Sequence, residues 1–139
     1  MTLHPALRAE LLDDELGVAR ARLGTRVTGI ERRDALIRVP LSAPDGGPVF
    51  LTLDGSNYDA EPFELYVTEP DGVVAPPARW PGQLAQAMHP VLVRPFLCIR
   101  GCYEYHTYPG HHQDRWDTVR ATLRLAELLD HALRKAGRP

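Results

Sequence analysis

Residues 89 to 116 read HPVLVRPFLCIRGCYEYHTYPGHHQDRW. These 28 residues hold both cysteines, four of the six histidines and one of the two tryptophans. Cysteine is appreciably nucleophilic near neutral pH without a dedicated base, because a thiol of pKa about 8.5 is already a few per cent thiolate. Cys98 and Cys102 are therefore the first candidates for chemistry. His106, His111 and His112 are their titratable neighbours, able to favour a thiolate as imidazolium or to take a proton from an incoming nucleophile. Asp114 either orients one of these rings, helps deprotonate an amine, or caps the helix that follows. Each residue also has a plainer reading. Cys98 lies among Phe96, Leu97 and Ile99 and reads equally as a small buried hydrophobe, and a histidine beside Pro and Gly in a polar loop is often simply exposed.

The same stretch allows a site of another class. Cys98, Cys102, His106 and His111 offer mixed S and N donors of the kind zinc accepts tetrahedrally. The pattern lacks the paired C-x2-C spacing of zinc ribbons, and the adjacent rings of His111 and His112 do not ordinarily bind one ion together.

These residues need a scaffold, and 139 residues that are 44% hydrophobic suit a single domain, residues 1–139, with one continuous core. The formal net charge of −2 offers no basic field for tracking phosphates, so nucleic acid is not an expected partner. No basic start precedes an apolar run, and no apolar stretch approaches about 18 residues, so the expectation is no membrane, a cytoplasmic setting and free thiols.

The opening segment carries Leu7, Leu11, Leu12, Leu16, Ala19 and Leu23 at mostly helical spacing, with Pro5 suited to the first turn, Gly24 to the stop, and Gly17 a place to bend or divide it. From 25 onward the period shifts towards two, in 25–33, 35–43, 48–56 and 62–69. Turns are marked by Asp34, Asp45-Gly46 and Asp54-Gly55, and four short strands in sequence imply an antiparallel meander. Residues 70–95 are rich in proline, a composition that argues against regular pairing, yet they hold enough Val, Leu, Ala and Trp to be an ordered loop laid over the core. From 117 to about 136 the pattern predicts one amphipathic helix. Its polar arc holds Arg120, Arg124, Glu127, His131, Arg134 and Lys135, and Asp114 or Asp117 is placed to cap it. The fold class is therefore α+β.

That order of helix, four-stranded antiparallel meander, irregular proline-rich loop with His-Pro, cysteine, tryptophan and helix resembles the ubiquitin-conjugating enzyme fold. The segment Tyr58-Asp59-Ala60-Glu61-Pro62 stands where the family has Tyr-Pro-x-x-Pro-Pro, without its first and last prolines. His89-Pro90-Val91 stands where the family has His-Pro-Asn, and Cys98 follows nine residues after His89. Trp116 and a helix come next, after an insertion at 99–115. The chain is similar to the divergent bacterial branch, whose members are typically encoded beside an activating enzyme, a ubiquitin-like protein and a metal-dependent deubiquitinase-like peptidase. The specific likeness covers roughly 49 to 136.

The resemblance implies that Cys98 receives the carboxyl-terminal acyl group of a ubiquitin-like protein from an activating enzyme as a thioester. It then passes that group to an amine or thiol of an acceptor protein, with no cofactor. Cys102 is the second-choice thiol. His89 and Pro90 take a structural part, His89 through a ring N–H to a backbone carbonyl, and Trp116 packs a seam. The Asn that stabilises the oxyanion in the family is Val91 here, and losing such a donor typically costs about 2.7–4 kcal/mol. A backbone N–H near Cys98 or a side chain of the insertion must then replace it, or the chain stops at thiol exchange. The missing Asn also fits an inactive binding module of the same fold. The acidic Asp13-Asp14-Glu15 and the arginines Arg8, Arg20 and Arg22 form either a surface for the activating enzyme or a solvated helix face.

Overall fold

The computed structural model describes residues 3–138. Helix α1 runs Pro5–Leu23, opening on Pro5, where the missing N–H costs nothing, and closing on Gly24 with φ 54°. It passes through Gly17 without dividing and buries Leu12, Leu16, Ala19 and Leu23. A short 3-10 turn, Gly24–Val27, occupies the front of the expected first strand.

Strands β1 (Glu31–Arg33), β2 (Leu36–Ser42), β3 (Pro48–Asp54) and β4 (Glu64–Thr68) form an antiparallel sheet in the order β1-β2-β3-β4. The register sets Ile37 opposite Leu53 and Leu53 opposite Leu65, and likewise Val39, Leu51 and Val67. All six are buried, so one face of the sheet is continuous hydrocarbon. On the other face Thr52 and Thr68 share a 2.9 Å hydrogen bond and Arg38 lies over the ring of Phe50.

The proline-rich stretch sends Ala75, Trp80 and Leu84 into the core, with the Trp80 indole N–H donating to the Ala75 carbonyl. Contrary to expectation it also contains regular pairing. Residues Ala87–Met88 (β5) and Pro95–Phe96 (β6) make a two-residue antiparallel ladder that closes the loop between them. Proline is tolerated there because the ladder is short and lies outside the main sheet.

After the short α2 (Tyr103–His106) comes α3 (Trp116–Val119), then a break, then α4 (Leu125–Lys135). The single helix expected from 117 is therefore two. The cause is Arg124, which turns inward instead of lying on the solvent arc. Its guanidinium reaches Glu15 and Asp59 and sits over the ring of Tyr58. The new helix is capped on the spot, since Glu127 accepts the Arg124 N–H and Glu15, from α1, accepts the Leu125 N–H at 3.1 Å. Glu15 also receives the Tyr58 hydroxyl at 3.0 Å. Helices α1 and α4 pack together, and one cluster of buried side chains joins them to the sheet and the proline-rich loop. Among the described residues no helix is long and apolar enough to cross a membrane.

Glu15→Ala leaves a helix end and a phenol without their acceptor and takes from the Arg124 guanidinium one of its two carboxylates. It should lower stability by about 2–4 kcal/mol in urea titrations, with Glu15→Gln costing less.

Candidate active site

Leu97 and Ile99 are buried and Cys98 and Arg100 are exposed. The apolar neighbours that made Cys98 look like a core residue are what turn it outward: Leu97 and Ile99 enter the core, and the tight turn closed by the Ile99 N–H on the Leu97 carbonyl at 2.9 Å leaves the Cys98 side chain outside. At Gly101 the backbone takes φ 104°, and a Cβ there would meet the Leu123 side chain at 3.2 Å. The chain then enters α2 through Cys102, which is wholly buried, its thiol pushed well up by burial and by the charge of Glu104. Cys102 is not available as a second nucleophile; it packs the seam where the chain bridges to Phe63.

The insertion is folded around its own polar groups. His106 bridges its two ends, since Nε2 accepts the Gly101 N–H at 3.1 Å and Nδ1 faces the Asp114 carbonyl at 2.7 Å. With one nitrogen accepting and the other donating, His106 is a clamp. Asp114 does not cap the following helix, whose first position is flanked by Arg115 without a side-chain cap. Its carboxylate instead takes Arg100 at 2.7 and 3.0 Å and the Tyr105 hydroxyl at 2.6 Å, which hold it down at about 2. The Tyr105 ring stacks on His111, centroids 4.0 Å apart and 18° from parallel. His111 stands over the thiol, with Cys98 Sγ 3.5 Å from Nδ1 and 4.0 Å from Nε2. Of the three histidines, only His111 touches the sulfur; His112 is exposed and turned to the Pro109 carbonyl.

Nδ1 of His111 also lies 3.3 Å from the Tyr105 carbonyl, which can only accept, so the ring proton is assigned to Nδ1 and the lone pair to Nε2. Partial burial pushes the Cys98 thiol up. The guanidinium of Arg100, two residues on, is committed to Asp114, and among the described residues no cation offsets the effect of burial, so the thiol needs a proton acceptor to become a nucleophile.

His89 is buried. Its Nε2 donates to the Glu104 carbonyl at 3.0 Å, and its Nδ1 accepts the N–H groups of Val91 and Leu92, both at 3.1 Å. This shapes the 89–94 loop, with Pro90 at its start and the Val91 side chain in solvent. Trp116 is 7% exposed and donates its indole N–H to the Asp59 carbonyl.

Sequence reasoning missed Glu104. Its carboxylate is fully buried, accepts the Leu65 N–H of β4 at 2.9 and 3.1 Å and pairs with Arg94. Burial raises it to about 7 against the pull of Arg94 and the backbone. Nothing in the order CYEYH marks it as the link between strand, loop and helix, because its partners are remote in the chain. Within the acidic run of α1, Asp13 pairs with Arg32 and Glu15 caps α4, while Asp14 is exposed and Arg22 pairs with Glu127.

Cys98, Cys102, His106 and His111 are not gathered round one point, and among the described residues no group of three or more His, Cys, Asp or Glu side chains is placed to hold a metal. The clearest cavities lie elsewhere. One of about 140 Å³ is lined by Asp54, Glu61, Glu64 and Tyr103, and another of about 170 Å³ by Pro77, Met88 and Pro95. Neither includes Cys98, which is exposed. No protein-family model matches this chain, and no curated protein matches it.

In the folded protein iodoacetamide should modify Cys98 and leave Cys102 untouched until denaturant is added, as read by peptide mass spectrometry. The rate should climb with pH beyond that of an unperturbed thiol. Glu104 sets a second expectation. Its carboxyl binds a proton more tightly folded than unfolded, so its stabilising effect is complete below the ordinary value of 4.5 and lost as pH rises to about 7. Unfolding free energy should fall by roughly 3 kcal/mol across that window, and the fall should be absent in Glu104→Gln.

Proposed function

We propose that this chain carries a ubiquitin-like protein as a thioester on Cys98, received from an activating enzyme and passed to an acceptor protein. The observation that carries the reading is an exposed thiol in contact with an imidazole, nine residues beyond a His-Pro loop that is pinned from inside. An exposed thiol outside both cavities suits an acyl donor and acceptor that are themselves macromolecules, whereas small-molecule sites are usually enclosed clefts. The order of helix, four-stranded antiparallel sheet, loop, cysteine and helix agrees with it.

Acylation breaks the thioester to the activating enzyme and forms one to Cys98, a near-balanced exchange of sulfur for sulfur. The later attack of a nucleophile creates an oxyanion. Val91 supplies no side-chain donor, and the Val91 and Leu92 N–H groups are spent on His89. The backbone N–H groups of Cys98 and Arg100 donate to no described acceptor and are the local candidates for that task. An inert binding module of the same fold would have no use for an imidazole held against an exposed thiol, which favours the carrier over the module.

Incubation with ATP, a cognate activating enzyme and its ubiquitin-like protein should yield a covalent adduct that reductant removes. The adduct should be absent in Cys98→Ala and retained in Cys102→Ala. Loss in Cys102→Ala, or no adduct in the wild-type protein, refutes the carrier.

A further inference from the structure

The contact between His111 and Cys98 bears on what happens after the thioester forms, and the inference deepens the carrier reading on which it rests. Three features of His111 act together. Its ring is held flat against Tyr105, whose hydroxyl is anchored by Asp114, so its position is set by packing as well as by hydrogen bonds. The Tyr105 carbonyl takes Nδ1–H, which fixes the tautomer. Nε2 has no other partner among the described residues than the sulfur at 4.0 Å, so it keeps its lone pair. The other candidates are accounted for: both His106 nitrogens are committed, His112 faces Pro109, and the Asp114 carboxylate is saturated by Arg100 and Tyr105.

We propose that His111 is the general base of the transfer step, its Nε2 taking the proton of a primary amine as that amine displaces Cys98 from the acyl carbon. The amine nitrogen bonds to the carbonyl carbon, its proton passes to Nε2, and the tetrahedral intermediate collapses by breaking the C–S bond. The electron pair returns to Cys98 sulfur, 4.0 Å from the Nε2 that has just been protonated. The sulfur then recovers the proton from the imidazolium, and the products are an amide and the starting thiol. The chain thus completes aminolysis with its own base, and its acceptors include a free primary amine.

The test uses the whole chain and a small acyl donor. The protein is acetylated with p-nitrophenyl acetate at alkaline pH, where thiolate forms without help, freed of reagent and mixed with glycinamide near neutral pH. Loss of the acetyl group from the Cys98 peptide and appearance of N-acetylglycinamide are followed by mass spectrometry. Transfer should slow about 100-fold or more in His111→Gln. The same loss is expected in His111→Phe, which keeps the stack on Tyr105 but has no lone pair, and His112→Ala should behave as wild type. Wild-type transfer should also be slower in D2O, and that difference should vanish in both His111 variants.

The proposal is overturned if either folded His111 variant transfers as fast as wild type. It is also overturned if acetyl-Cys98 passes only to water while glycinamide is present, or if Cys98 is not acetylated at all. The carrier reading stands or falls separately, on whether Cys98 forms the adduct with the ubiquitin-like protein. An adduct with a His111-independent transfer step sinks this inference alone, and a His111-dependent transfer without the adduct sinks the carrier alone.

Discussion

A single buried carboxylate holds the candidate site in register. Glu104 sits at the start of α2, yet its side chain binds the Leu65 N–H of β4 and the Arg94 guanidinium, while its own carbonyl receives the His89 ring. Three segments distant in sequence are thereby tied to one residue: the last strand of the sheet, the 89–94 loop and the insertion carrying the histidines. Burying such a charge is expensive unless it is paired and hydrogen-bonded, and here nearly every acceptor position is used. The arrangement adds little net stability compared with a hydrocarbon plug. What it adds is alignment, since Arg94 and His89 fit only one placement of the loop against β4.

From that anchor the position of Cys98 follows with few free variables. Ladder β5–β6 delivers the chain to Leu97, the core takes Leu97 and Ile99, and the intervening thiol must face solvent. Gly101 then turns the backbone where any side chain would strike Leu123. The insertion folds back over the thiol because His106 joins Gly101 to Asp114, and Asp114 in turn holds Tyr105 beneath His111. The aromatic rings His89, Phe96, Tyr108, His111, Tyr105, His106 and Trp116 form an unbroken series of contacts along this side of the molecule. Stacked rings of this kind carry few rotatable bonds, so the imidazole is held at low entropic cost.

Much of the scaffold was legible in the sequence because it is written in local terms. Pro5 and Gly24 bracket α1, period-two runs between Asp-Gly turns give the meander, and the inward apolar arc marks α4. The failure at α4 involves partners far apart in the chain. Arg124 looked solvent-facing on a helical wheel, but Glu15 and Asp59 draw it inward from about 110 and 65 positions away and split the helix. Cys102 and Cys98 were ranked by their immediate neighbours and by resemblance, neither of which reports burial. The three histidines of the insertion were indistinguishable as sequence. What separates them is which carbonyl each ring nitrogen meets, a property of the folded loop alone.

The electrostatics of the thiol constrain its chemistry on the proposed reading. Many reactive cysteines are kept as thiolates by a nearby cation or a helix N-terminus, which makes them fast nucleophiles and equally fast targets for oxidation. Here burial favours the protonated form and the one close guanidinium is neutralised by Asp114. Such a sulfur is quiet until a thioester arrives and a base receives its proton. A less stabilised thiolate is also a poorer leaving group, so an acyl group once loaded is retained rather than lost to solvent. Retention is what a carrier requires, but it makes the final transfer harder. The chain must then recover the lost reactivity at the moment an acceptor is present. An imidazole whose ring proton is taken by a carbonyl, and whose other nitrogen keeps its lone pair beside the sulfur, supplies that reactivity to a nucleophile that reaches the thioester.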